Sequence, residues 1–456
     1  MTMRNFLKIT SFFCLALGLS TQANATDCWL AVTGSGSQDG SSAENAYAAQ
    51  NRTRNAQKCW DQTSATGTMY VMEGEYSVDN QSFWRLTLGS SKDGPDNGKP
   101  FKKLMGVGHV LMTGSRPVPY SLETAAHGET WIKILKNARH IQIENFNVRR
   151  VEKGITALDG GNHHLEFRHL HFQDTRQNIH LDGHPQCVAE RNCPVKKGQL
   201  SKTILLEDIT GIRYSKRHIR MGHGITAVQV LNSHADAENL DGDFAVGFDV
   251  ENPASGIEFR GSTSRRNRYS VSEYWNGDGF KAENQTRDIR WIDCAAFDNA
   301  DAGFDIKTKN AVLENIVALR NSRNIRIWHS ARLQNVNASY SFSHGGIGTE
   351  AGLWTAGKAE CYFCTFHNNG IHLHAEKQDE RPEIRLYDSI LSRDSAHPGE
   401  LLRQEEAHIE LIRTEAWEEG PTGQNPLDGR TTAQWEGKDA QFNSRYGKNK
   451  GYFYAA

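Results

Sequence analysis

The chain has 456 residues, with 52 Lys and Arg against 54 Asp and Glu, a formal charge of −2. Charged residues at 23% and hydrophobic ones at 38% exclude a disordered or collagen-like chain, and the near-neutral balance gives no reason to expect nucleic acid or an anionic membrane as partner. With 41 Gly, only 11 Pro and many Asn and Asp, the composition favours tight turns over long helices.

Residues 1–25 read as a secretory signal peptide. Arg4 and Lys8 flank the apolar stretch Ile9 to Leu19, and Ala23-Asn24-Ala25 is an A-x-A cleavage site before Thr26. Cleavage after Ala25 implies a secreted or periplasmic protein. No later run approaches the roughly 20 apolar residues that span a bilayer, so no membrane partner is expected. Cys28, Cys59, Cys187, Cys193, Cys294, Cys361 and Cys364 remain. Cys28–Cys59 could close the N-terminal region and Cys187–Cys193 could staple a loop, while the odd count leaves at least one thiol free or paired elsewhere. Cys361-x-x-Cys364 has no second CxxC and no βαβ context, so it reads as core or corner cysteines, and no zinc site is assigned.

Short strands begin at Gly67, Gly98 and His109 as an irregular lead-in. From Gly154 the chain becomes self-similar, with strands after a turn at Gly154, Asn178, His218, Gly247, Gly279, Gly303, Asn324, Gly346 and Gly370. The anchors Phe280, Phe304, Ile325, Ile347 and Ile371 lie 24, 21, 22 and 24 residues apart. Each unit holds short alternating strands with Gly, Asn or Asp at the bends, and no stretch shows a convincing helical period. One such unit cannot bury its apolar side alone; stacked units share a continuous core. The spacing therefore predicts an all-β, single-domain, right-handed parallel β-helix over residues 26–393. Beyond Arg393 the period fades, and residues 394–456 are expected as a tail that packs on the coils or caps their end. A monomer is expected.

Alternation places Phe280, Phe304, Ile325 and Ile371 inward, hence Lys281, Asp305, Arg326 and His372 outward. Asp249 extends this ladder, and a second one, two residues on, holds Glu251, Glu283, Lys307, Trp328 and His374. The preceding turns supply Asp278, Asp298 and Asp301. Any one of these is ordinary as a cross-strand pair or a turn residue. Asp278, Asp301 and Asp305 together would repel unless neutralised, which is what a hard cation does; Ca2+ is expected, with magnesium second. Tyr274 and Trp275, beside Asp278, are candidates to stack on sugar rings. Lys307 and Arg268, the latter in the basic run Arg265-Arg266-x-Arg268, are candidates to bind acidic groups, and His329 lies just C-terminal of the cluster.

Asn276-Gly277-Asp278-Gly279-Phe280, followed by Asp298-Asn299-Ala300-Asp301-Ala302-Gly303-Phe304-Asp305, resembles the calcium site of family 9 pectate lyases. The resemblance implies a parallel β-helix that cleaves acidic polysaccharide by calcium-assisted β-elimination. It puts Asp278, Asp301 and Asp305 at the first, second and last ligand positions and Ala302 at the remaining one, where a carboxylate is missing. The family's lysine base is matched best by Arg326. Chemistry favours Lys281, because arginine holds its proton far more tightly, and the two are reconciled with Arg326 as base or carboxylate clamp and Lys281 as its partner. Three alternatives stay open: a glycoside hydrolase, which requires a carboxylate pair, a uronan C5-epimerase, and a non-catalytic glycan-binding β-helix.

Overall fold

The computed structural model describes residues 26–50, 54–78, 86–89, 101–118, 128–183, 200–394, 397 and 399–419. The signal peptide and the Cys187–Cys193 pair lie outside these residues. Among them the fold is a parallel β-helix: one sheet of 12 short strands and one of 23, with every strand ladder parallel. In the short-strand sheet Val246–Val250, Phe280–Ala282, Ala302–Ile306 and Arg323–Ile327 lie on one another with Phe248, Phe280, Phe304 and Ile325 in register. Identical inward positions recur at the interstrand spacing, so their rings stack. Phe248 and Phe280, then Phe280 and Phe304, are 4.8 Å apart and tilted by only 9° and 5°.

The corners are turned by residues in the left-handed region. One row runs through Asn145, His169, Asp208, Asn232, Asp293, Asn315 and Asn335, a position that Asn, Asp and His tolerate better than other side chains. The corner before the short strands is filled by a buried chain of asparagine amides. Asn267 donates to Asn299 (2.7 Å), Asn299 to Asn321 (2.8 Å), Asn321 to Asn324 (3.0 Å) and Asn324 to Asn369 (3.0 Å). These bonds satisfy polar groups that have no water to meet, and they fix the turns that carry Asp278 and Asp301.

The structure departs from the sequence reading in four places. Ile347 is no anchor: it is 72% exposed in a loop, and Leu353 of Ala351–Thr355 is the residue in register with Ile325. Leu373 follows Leu353, so His374 takes the outward position assigned to His372, while His372 is buried against the carbonyls of Ser392 and Glu400. The coils do not stop at Arg393. Glu400–Glu405, His408–Ile412 and Glu415–Glu419 add another turn. Finally, one short helix, Asn55–Gln62, packs Ala56 and Trp60 on the N-terminal strands. It carries Cys59 to its disulfide with Cys28. Cys361 and Cys364 also form a disulfide, both buried, and Cys294 is free and buried.

Candidate active site

The outward face of the short-strand sheet holds the predicted ladder. Asp249 faces Lys281, Lys281 faces Asp305, and Asp305 faces Arg326 across successive strands. These charges are not solvated: Asp249, Asp278, Asp301 and Asp305 are at most 1% exposed, and Lys281 and Arg326 are below 10%. Ionised groups are buried only when paired, and here all but Asp278, which accepts the Ala302 N–H at 3.1 Å, have an ion-pair partner. Lys281 Nζ lies 2.9 Å from Glu283, 3.3 Å from Glu251 and 3.4 Å from Asp249, and Arg217 Nε donates to Asp249 at 2.5 Å. Arg326 Nε donates to Asp305 at 2.7 Å, where Trp328 Nε1 also donates at 2.8 Å. Lys307 Nζ lies 2.9 Å from Glu283 and 3.6 Å from Asp305.

A loop wall closes over this shelf. Residues 266–279 fold back on themselves through paired bonds between the Tyr269 and Asn276 backbones. They join a second loop where Ile347 N–H donates to Glu273 O at 3.0 Å. Trp275 lies flat on Gly345 and Gly346; a Cβ at Gly345, whose φ is 125°, would come within 2.4 Å of the indole. On its other side Arg268 stacks 4.4 Å from the Trp275 ring and pairs with Asp241 at 3.1 Å.

This wall delivers the Tyr274 hydroxyl to the centre of the charges. The phenol oxygen accepts from Arg326 Nη1 at 2.6 Å and from Arg323 Nη1 at 3.0 Å, and its O–H donates to Asp301 at 3.0 Å. Arg323 and Arg326 themselves reach Asp301 at 2.9 and 3.2 Å.

Burial and neighbours spread the proton affinities of these groups apart. Burial, reinforced by Asp305 and Asp301, pushes Asp278 up to about 8. Asp305 is just as buried, yet Arg326 and Lys307 hold it well below the usual carboxylate range. Burial takes the Tyr274 phenol up to about 12 against the pull of Arg326. Burial alone would lower Lys281, but Asp249, Glu251 and Glu283 outweigh it and drive it up; Asp301 and Asp305 do the same for Arg326. Both cations therefore stay protonated at any physiological pH. They are suited to hold negative charge, as the clamp role expected for Arg326 requires, rather than to take a proton as base.

Asp278, Lys281, Asp301, Asp305, Lys307, Arg326, Tyr274 and Trp275 are thus brought to one face or its wall. His329 is not: it turns the corner after Trp328 and has Lys309, Glu380 and Asp379 as its charged neighbours. Arg268 reaches the wall only through Trp275. Asn299 belongs to the asparagine chain, and Asp298 forms an exposed pair with Arg320. Arg323 was missed. Arg323 opens its strand in register with Ala302, so the arginine stands beside the position that lacks a carboxylate.

That environment does not fit calcium. Asp301 and Asp305 already accept from guanidinium groups, a phenol and an indole. Among the described residues, Asp278, Asp301 and Asp305 do not present oxygens within 4.8 Å of one another. A hard cation requires several free oxygens around one point and would here face two arginines.

No protein-family model matches the chain, and no curated protein matches it. Among solved structures it is similar to pectate lyase Pel9A, at 14% identity and a TM-score of 0.36 over 88% of this chain and 83% of that one. It is similar to a mannuronic acid-specific polysaccharide family 6 lyase from human gut microbiota, at 9% and 0.47 over 84% and 90%. It is also similar to the catalytic domain of a GH87 alpha-1,3-glucanase, at 8% and 0.45 over 76% and 64%.

Proposed function

We propose that the protein acts on an acidic polysaccharide and cleaves its uronic-acid linkages by β-elimination at this face. The observation that carries the reading is the Tyr274 hydroxyl, held at once by Arg326, Arg323 and Asp301. Elimination takes the proton on the carbon beside the uronate carboxylate and expels the 4-linked oxygen. Negative charge then grows on that carboxylate, and fixed cations are the natural counter-charge. Arg326, Lys281 and Lys307 fill that role without a metal ion. Tyr274 is the group built to move a proton. Its O–H can go to the leaving 4-linked oxygen while the phenol oxygen takes the proton from carbon, so the hydroxyl ends as it began. Trp328 and the wall would carry the sugar rings, with Trp275 fixing the wall rather than meeting substrate.

A second reading, hydrolysis, is favoured by one observation: Asp278 is held protonated while Asp305 is held ionised, the split that an acid and base pair requires. The test is to incubate the purified protein with pectate, alginate and other uronans, following ultraviolet absorbance of unsaturated uronate together with new reducing ends. Elimination gives both. Reducing ends without absorbance would establish hydrolysis, and neither signal on any uronan would contradict both readings.

A further inference from the structure

A cluster unrelated to that face sits on the long sheet near the N-terminal end. His140, His163 and His164 present ring nitrogens that all lie within 4.8 Å of one another, with Nδ1 of His163 and of His164 only 2.9 Å apart. The backbone makes this possible. His140 and His164 face each other on successive strands, and both adopt left-handed φ, 52° and 54°. A left-handed residue breaks the up-and-down alternation of a strand, so the consecutive His163 and His164 turn their rings toward one point. Later coils place Thr203, Ala227 and Gly256 at the same corner, none of which carries an imidazole. His140 stacks on His164 at 4.6 Å, and His163 stands nearly perpendicular to both.

We infer that His140, His163 and His164 form a binding site for a transition-metal ion of the zinc class. Imidazole is the ligand that suits Zn2+, Cu2+ and Ni2+, whereas carboxylate sites take Ca2+ and Mg2+. Three nitrogens at metal–ligand distances of about 2.0–2.1 Å leave a fourth tetrahedral position. A groove of about 450 Å³, lined by Phe101, His164, Glu166, Thr203 and Gly256, opens beside the cluster and gives the ion a path and that position room for water. Closing the site requires the stacked pair to tilt and the contact between His163 and His164 to give way to metal bonds. The inference stands apart from the proposed elimination.

The experiment is to load the full mature chain with Zn2+ alone, desalt it and measure bound metal, alongside His163→Ala and His164→Ala. The expected result is about one equivalent on the wild type and loss of it in both variants, with elimination activity unchanged. Wild-type protein that retains no zinc, or variants that retain as much, would overturn the site. Should either variant fail to fold, Co2+ on the wild type decides. Intense visible bands of a tetrahedral nitrogen site support the assignment, and a weak octahedral spectrum refutes it.

Discussion

The two sheets of this β-helix treat the same residue types in opposite ways. On the long sheet the outward positions Glu258, Arg260 and Arg290 pair with one another while remaining a quarter to a half exposed. On the short-strand sheet Asp249, Lys281, Asp305 and Arg326 occupy equivalent outward positions and are almost wholly covered. Alternation delivers charge to both faces equally. What differs is the loop wall around Tyr274, which takes one set out of water and so shifts its proton affinities. A run of alternating charges is thus ordinary until something covers it.

That contrast can be broken in graded steps. Asp305→Ala strips the acceptor from Arg326 Nε and Trp328 Nε1 inside the covered face and should cost about 3 kcal/mol or more, read from the denaturant midpoint. Asp278 gives the next effect. Its folded value near 8 lies above the unfolded carboxylate value, so between roughly pH 4 and 8 the folded state holds a proton that the unfolded state has lost. The Asp278 contribution to stability should fall as pH rises through that window, by at most about 1.4 kcal/mol per pH unit, and level off above it. Buried histidines such as His218 and His180, lowered by burial, add the opposite slope below their ordinary value, so the Asp278 contribution is read as the difference between wild type and Asp278→Asn across the window. On the exposed face, Arg290→Ala should change stability by only about 0.2–1 kcal/mol and become neutral in high salt. Smallest of all, millimolar calcium or a chelator should leave the melting temperature where it was, because Asp301 and Asp305 are already neutralised.

Much of this was legible in the sequence. The ladder from Asp249 to Arg326 follows from two-residue alternation and a spacing near 22 residues, and it held position by position. It slipped where a loop was inserted: Gly346-Ile347 mimics the glycine–apolar start of a strand, while the real one begins at Ala351. The strand that follows is then two positions out, which is why His374 stands where His372 was expected and His372 is buried. The aspartates were found, and so were Lys281 and Arg326 beside them, but not what holds Asp301. Arg323 looks like any strand-opening residue, and nothing in the spelling of residues 266–279 says that this loop returns to set a tyrosine between two arginines. The poor fit to calcium turns on the same point: three carboxylates can be read from a motif, while the second arginine and the phenol that occupy Asp301 cannot.

The most direct measurement is the elimination rate of Tyr274→Phe against wild type on whichever uronan is turned over, with the melting temperature recorded for both. Removing the hydroxyl should lower the rate by roughly 10²–10⁴-fold while the chain melts nearly as before. A variant that stays folded and works at the wild-type rate would show that the proton moves elsewhere and that the covered charges serve only the fold.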